Sequence, residues 1–118
     1  MNIGLDMMGG DFAPLEAVKS IQPYLSNTAS PANLFLIGDE TQVMPLLPQF
    51  EQVARVNVIH APDVIGMNEH PTRALKEKPQ SSIATGFRML ATGTIDAFIS
   101  AGNTGAMLVG AHYSIKPL

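Results

Sequence analysis

Short apolar runs that end at glycine or acidic residues alternate along this chain with stretches of helical periodicity, and this alternation limits its possible folds most strongly. Residues 2–6 and 34–37 are such runs, and each is followed by a turn that contains glycine. Further runs cover residues 56–59 and 95–100. Continuous apolar runs of this length are typical of strands buried on both faces of a sheet. Because parallel strands are joined by crossover connections, usually helices, the sequence predicts an open, mostly parallel α/β sheet.

The segments between these runs carry apolar residues at helical spacing. Helices are predicted over residues 14–25, from Asp39 or Thr41 to Leu47, from Ser81 or Ser82 to Leu90, and over residues 106–113. The residues between the third strand and Ser81 are predicted to form a proline-rich connection. The methionines, Met7 and Met8 among them, are expected to fill the hydrophobic core.

Composition excludes several classes of function. A chain of 118 residues, 46% of them hydrophobic, has enough apolar surface for one modest core. Its formal net charge of -3 argues against a broad nucleic-acid-binding face, and the absence of cysteine excludes disulfides and a cysteine thioester intermediate. No apolar run is long enough to span a membrane and Asp6 comes too early for a signal peptide, so a cytoplasmic protein is expected. His60, His70 and His112 lie at no metal-ligand spacing, and neither a metal nor a cofactor is expected.

The turn Gly102-Asn103-Thr104-Gly105 follows the fourth predicted strand and precedes a helix. Its glycines allow close backbone approach, and Thr104 places a hydroxyl beside the free amides of the next helix. Such a turn at the carboxyl end of a parallel strand favours an anion-binding site. The alternative is a plain strand-to-helix turn in which Asn103 or Thr104 caps the helix and binds nothing.

A second glycine turn, Gly9-Gly10-Asp11, follows the first predicted strand and is expected at the same edge of the sheet. One interpretation gives Asp6 and Asp11 roles in orienting a cationic group, a water or a loop around a ligand. The other makes Asp11 the cap of the next helix and Asp6 a residue that ties the turn together. Neither glycine turn matches the dinucleotide or the phosphate-loop pattern, so nicotinamide and nucleoside triphosphates lose support as ligands.

A basic segment from Pro71 to Ser82 ends in two serines, Ser81 and Ser82, at the predicted start of a helix. It contains three basic residues, Lys78 among them. Ammonium groups and hydroxyls in this arrangement are suited to receive phosphate. A solvated helix face followed by an ordinary serine cap explains the same residues.

Four blocks in this order resemble the phosphate acyltransferase family across nearly the whole chain. The blocks are Asp6-Met7-Met8-Gly9-Gly10-Asp11-Phe12-Ala13-Pro14, Gly38-Asp39-Glu40, Pro71 to Ser82, and Ser100-Ala101-Gly102-Asn103-Thr104-Gly105-Ala106. Each block alone is weak, whereas all of them in order and at matching spacing form a specific resemblance. Met7 departs from the alanine that is more frequent at that position in the family, a change expected to alter packing only.

The resemblance implies acyl transfer from acyl-acyl-carrier-protein to inorganic phosphate, which gives acyl phosphate for phospholipid synthesis. It also implies a three-layer α/β/α fold similar to isocitrate and isopropylmalate dehydrogenases, a homodimer, and peripheral membrane association through residues beyond Leu118. Members of the family are considerably longer than this chain. Residues 1–118 are therefore expected to be the amino-terminal portion of a single catalytic domain, inactive or nearly so when alone.

Acyl transfer to phosphate requires a phosphate oxygen held against the thioester carbonyl, with donors for the phosphate and for the developing oxyanion. Asn103 and Lys78 are the expected catalytic residues. The expected substrate- and phosphate-binding residues are Gly9, Gly10, Asp11, Ser81, Ser82, Gly102, Asn103, Thr104 and Gly105. No convincing general base is found among residues 1–118. The alternatives are a phosphotransacetylase-like enzyme that uses acyl-coenzyme A and a noncatalytic binding module.

Overall fold

A sheet of four parallel strands runs through the part of the chain that the structure, a computed structural model, describes. That part comprises residues 1–10, 13–25, 32–47 and 56–114. The strands are β1 (Asn2–Asp6), β2 (Asn33–Gly38), β3 (Val56–His60) and β4 (Ala97–Ile99), in the spatial order β3-β2-β1-β4. The helices are α1 (Leu15–Leu25), α2 (Glu40–Val43), α3 (Pro71–Glu77), α4 (Ser82–Ala91) and α5 (Thr104–Ser114), with a 3-10 turn at Met44–Leu46. The predicted α/β fold with a parallel sheet is confirmed.

Helices cover both faces of this sheet. Successive side chains of each strand point to opposite faces, and each set of side chains packs against a helix. On one face, Leu34 and Leu36 of β2 pack with Val18 of α1. On the other face, Phe98 of β4 meets Phe87 of α4 edge-to-face, with ring centroids 5.4 Å apart. The strands therefore lie between two layers of helices.

The chain reverses its direction of travel across the sheet between β1 and β4. From β1 it passes through α1 to β2 and then to β3, all on one side of β1. From β3 it crosses by α3 and α4 to β4, which pairs with the opposite side of β1. Open α/β sheets bind ligands outside the carboxyl ends of their strands at such a reversal. The loops that follow Asp6 and Ile99 therefore frame the expected site.

The helix α3 replaces the expected proline-rich connection and agrees with the alternative interpretation of these residues as a solvated helix face. Pro71 occupies its first turn, where the missing amide has no helical partner to lose. His70 caps the helix, and its Nδ1 accepts a hydrogen bond from the Arg73 amide at 3.4 Å. A histidine cap lies outside the set of residues that usually mark a helix start, so the start of this helix has no clear sequence signal.

The remaining elements follow the prediction with small shifts. Asp39 caps α2 as predicted, with its Oδ1 accepting from the Thr41 amide at 3.0 Å. The strand β4 is shorter than the predicted 95–100, and α5 begins at residue 104 rather than 106. Met7 and Met8 lie in the core, whereas Met1, Met44 and Met67 are more than half exposed, so the expectation of buried methionines is wrong for these three.

Candidate functional site

The two glycine turns meet at the carboxyl edge of the sheet, beyond β1 and β4. A β-carbon built on Gly9 would lie 2.7 Å from the Gly102 amide nitrogen, so a side chain at Gly9 would push the turns apart. Gly10 lies beside Ala101 and has a φ of +92°, a conformation that favours glycine. The predicted shared edge is therefore present for both turns. Asp11, which is also expected at this edge, lies outside the described residues.

The carboxylate of Asp6 holds the two turns together. Its Oδ1 accepts a hydrogen bond from the Met8 amide at 2.9 Å, and its Oδ2 accepts one from the Ser100 hydroxyl at 2.6 Å. The Ser100 hydroxyl oxygen in turn accepts from the Gly102 amide at 3.0 Å. Asp6 is only 7% exposed, so these contacts lie within the protein rather than in solvent. The interpretation of Asp6 as the residue that ties the turn is confirmed, and Ser100 is a partner that the sequence reasoning missed.

Asn103 both caps α5 and clamps a distant loop. Its Oδ1 accepts from the Ala106 amide at 2.9 Å, which is the geometry of a helix cap. Its Nδ2 donates to the carbonyl oxygens of Gly66 at 2.9 Å and of Glu69 at 3.2 Å, with Met67 at 3.4 Å. Asn103 is 4% exposed. Both polar atoms of its side chain are thus engaged within the chain, and its position fixes residues 66–69 against the start of α5.

The first amides of α5 lie beside this clamp. The first amides of any helix have no partner within it, and Asn103 satisfies only that of Ala106. Thr104, at the first helical position, is exposed. Gly105 follows, and a β-carbon there would lie 2.4 Å from Cγ of Pro71, so glycine allows α5 to begin against the start of α3. The first two amides of α5 therefore belong to Thr104 and Gly105, and amides at this position of a helix are suited to bind an anion.

Lys78 is joined to the loop of residues 64–69, here called the 64–69 loop. Its Nζ donates to the Val64 carbonyl oxygen and to Glu69 Oε2, each at 2.7 Å. The Gly66 amide donates to the same Glu69 oxygen at 2.5 Å. The hydrogen bond from Lys78, followed by that from Gly66, holds the pKa of the Glu69 carboxyl below its ordinary value. Glu69 is not among the site residues expected from the sequence, because its partner Lys78 is nine residues away and no local pattern marks the pair.

The two serines lie at the start of α4, where both are buried. Ser81 caps the helix, and its hydroxyl oxygen accepts from the Ala84 amide at 3.1 Å. Ser82 is 3% exposed, and its amide donates to the Asp63 carbonyl oxygen at 3.3 Å. The serine-cap interpretation is confirmed for Ser81. In the described geometry, the Ser81 hydroxyl stabilises a helix end rather than facing an open surface.

A cleft of about 320 Å³ opens at the reversal point of the sheet. Gly9, Gly10, Ser100 and Ala101 form its end at the glycine turns. Residues of β1, α1 and β4 form its remaining walls, and most of these are apolar. The turns, the Asp6 tie and this cleft therefore belong to one continuous region.

Within the described ranges, no group of three or more histidine or acidic residues could hold a metal ion. His60 and His70 instead stabilise backbone: the Glu40 amide donates to His60 Nδ1 at 3.1 Å, and His70 caps α3. Over the same part of the chain, no helix is long and apolar enough to cross a bilayer.

The sequence matches the fatty acid synthesis protein family over residues 1–118. Curated relatives named phosphate acyltransferase include one from Pelotomaculum thermopropionicum, 39% identical over 115 residues, which cover 98% of this chain and 33% of the relative. A relative from Levilactobacillus brevis is 45% identical over 109 residues, covering 92% of this chain and 30% of the relative. One from Pseudomonas syringae pv. syringae is 38% identical over 118 residues, covering 98% and 34%. The chain thus spans about a third of the length of the relatives it matches.

Proposed function

The chain belongs to the fatty acid synthesis protein family, and on that premise we propose that the polypeptide that carries it is a phosphate acyltransferase. The proposed reaction transfers an acyl group from acyl-acyl-carrier-protein to inorganic phosphate. Several relatives are named phosphate acyltransferase, and this name supports acyl transfer to phosphate. The carrier-protein donor and the use of the product in phospholipid synthesis rest on the sequence resemblance.

In the proposed reaction a phosphate oxygen attacks the thioester carbonyl carbon. The C–O bond forms, the C–S bond breaks, and the sulfur leaves as the carrier thiolate, which takes up a proton. The products are an acyl phosphate and the free carrier thiol. No enzyme nucleophile is needed, which agrees with the absence of cysteine. The protein has to align the phosphate with the carbonyl and to stabilise the negative charge on both.

The observation that carries the proposal is the meeting of the two glycine turns at the reversal point of the sheet. Gly9 approaches the Gly102 amide so closely that only glycine fits there. The first turn of α5 begins directly after Gly102 and Asn103 and offers amides to an anion. We place the phosphate at the amides of Thr104 and Gly105, and the thioester carbonyl beside Gly9 and Gly10.

Asn103 and Lys78 act in this proposal by holding the 64–69 loop in place. Their nitrogen atoms already donate to carbonyl or carboxylate oxygens of that loop. Ser81 and Ser82 hold the start of α4 in place, and Asp11 is kept as a proposed substrate- or phosphate-binding residue. We also propose that the full polypeptide is a cytoplasmic homodimer that contacts the membrane peripherally. Residues 1–118 alone are expected to lack most of the activity.

The proposal is tested with the full natural polypeptide, radiolabelled inorganic phosphate, and either acyl-acyl-carrier-protein or acyl-coenzyme A. Radiolabelled acyl phosphate is separated from inorganic phosphate by chromatography and counted, and free thiol is counted in parallel. Equal amounts of both products from the carrier-protein donor support the proposal. A preference for acyl-coenzyme A would indicate the phosphotransacetylase-like alternative. Binding of acyl-acyl-carrier-protein without release of thiol would indicate a noncatalytic module.

A further inference from the structure

We propose that the cleft between α1 and the end of β4 binds the fatty-acyl chain of the thioester substrate. This inference rests on the proposed acyl transfer and adds to it a site for the part of the substrate that does not react. The cleft has a volume of about 320 Å³ and opens at the glycine turns.

The geometry of β4 leaves one wall of this cleft apolar and open. Phe98 points toward α4, where it meets Phe87, so its neighbour Ile99 points to the α1 face. Ile99 is 58% exposed although it belongs to a strand of the sheet. It pairs in register with Leu5 of β1, which also lines the cleft. Two adjacent strands thus present apolar side chains to a space that the described residues leave unfilled.

The wall formed by α1 consists mainly of small or apolar residues. Ala13, Ala17 and Ile21 line the cleft from this side. The small side chains of Ala13 and Ala17 keep α1 from filling the space next to β4. A cleft between a helix and a strand with mostly apolar walls suits a hydrocarbon chain, because burial of each methylene group contributes favourable free energy.

Charge argues against a phosphate or another anion as the occupant. Among the described residues that line the cleft, Asp6 and Glu16 carry carboxyl groups and none is a lysine or an arginine. Lys19, one helical turn from Glu16, lies 3.6 Å from it on the solvent side of α1, with 58% of its side chain exposed. A neutral, apolar occupant is compatible with these walls, whereas an anion would be repelled.

Continuity with the glycine turns distinguishes this cleft from a second hollow in the described part of the chain. The second hollow, of about 490 Å³, lies among α3, α4 and α5 and is lined by residues such as Leu75, Phe87 and Val109. None of the glycine-turn residues of the site lines it. A carbonyl held beside Gly9 and Gly10 would therefore direct its acyl chain into the first cleft and not into the second.

The test fills the cleft and measures chain-length preference in the full natural polypeptide. Ile99→Trp enlarges an exposed residue in the β4 wall of the cleft, and Ala17→Leu enlarges a half-buried one in the α1 wall. Ala91→Leu, at the exposed end of α4 and outside both hollows, is the matched control. Each variant is assayed with hexadecanoyl and butanoyl thioesters, and the equilibrium binding of a fluorescent long-chain fatty acid is measured without phosphate.

Both cleft variants are expected to raise KM for the hexadecanoyl thioester by about tenfold or more while the butanoyl kcat/KM stays near that of the wild type. Both are also expected to weaken binding of the fluorescent fatty acid, and Ala91→Leu is expected to change neither measurement. An unchanged chain-length preference in an active enzyme would overturn the cleft assignment and leave acyl transfer standing. An equal loss of kcat/KM for both thioesters, together with a lower free energy of unfolding, would also overturn the assignment. That result would show that other residues of the polypeptide fill the cleft. If the wild type releases no acyl phosphate, the proposed function fails, and the fatty-acid binding measurement still decides whether the cleft takes an acyl chain.

Discussion

The hydroxyl of Ser100 donates a 2.6 Å hydrogen bond to the carboxylate of Asp6, across 94 residues of sequence. This contact joins the ends of β4 and β1 at the point where the chain reverses its direction across the sheet. The same hydroxyl oxygen accepts from the Gly102 amide. The position of the second glycine turn therefore depends on Asp6, the last residue of the strand that precedes the first glycine turn.

Removal of the Asp6 carboxylate should destabilise the protein measurably. We expect Asp6→Ala to lower the free energy of unfolding by about 1 to 3 kcal/mol, because the Ser100 hydroxyl and the Met8 amide lose a buried acceptor. Urea denaturation measures this change. Asp63→Ala is the control, since Asp63 is exposed, and it should shift the unfolding free energy by no more than about 0.5 kcal/mol. Equal effects of the two substitutions would contradict the role given to Asp6.

Asn103 offers a way to separate its cap from its clamp. Asn103→Asp keeps the oxygen that caps α5 but places a second oxygen against the carbonyls of Gly66 and Glu69. We therefore expect Asn103→Asp to cost about 1 to 3 kcal/mol of unfolding free energy, although an acid is a good helix cap. The converse exchange at an exposed cap, Asp39→Asn, should cost less than about 0.5 kcal/mol. A stable Asn103→Asp variant would show that the cap alone matters.

The Glu69–Lys78 pair predicts a pH dependence of stability. Because the pKa of Glu69 is lowered in the folded protein, its contribution to stability is present above the ordinary glutamate pKa and is lost as the pH falls through the lowered value. Glu69→Gln should therefore flatten the decline of unfolding free energy on acidification from about pH 6 to about pH 3. Lys78→Met should flatten it in part, since the Gly66 amide still donates to the carboxylate. A full wild-type decline in Glu69→Gln would contradict this assignment.

Much of the fold could be predicted from the sequence because its signals are local. The run at residues 34–37 is apolar throughout, and a strand buried on both faces requires that pattern. The shared edge of the two glycine turns then followed from topology alone, since parallel strands place their carboxyl ends together. The start of α3 could not be predicted, because its cap, His70, is an unusual one.

The contacts that shape the site could not be predicted, because they join residues far apart in the chain. The amide group of Asn103 reaches Gly66 across 37 residues, and no local pattern encodes that distance. The sequence could only indicate that Asn103 caps a helix or binds a ligand. The structure shows its side chain occupied by the cap and the 64–69 loop, which turns the expected direct role of Asn103 into a proposed positioning role.

The measurement that tests the account most directly is the KM for inorganic phosphate of Thr104→Asp in the full natural polypeptide. Thr104 is exposed in the first turn of α5, where an acidic residue favours the helix by about 0.3 to 1 kcal/mol, so this variant should fold at least as well as the wild type. A carboxylate beside the amides that are proposed to bind phosphate should raise that KM by about tenfold or more. The neutral Thr104→Asn should leave it near the wild-type value. A wild-type KM for phosphate in Thr104→Asp would contradict the placement of phosphate at the start of α5.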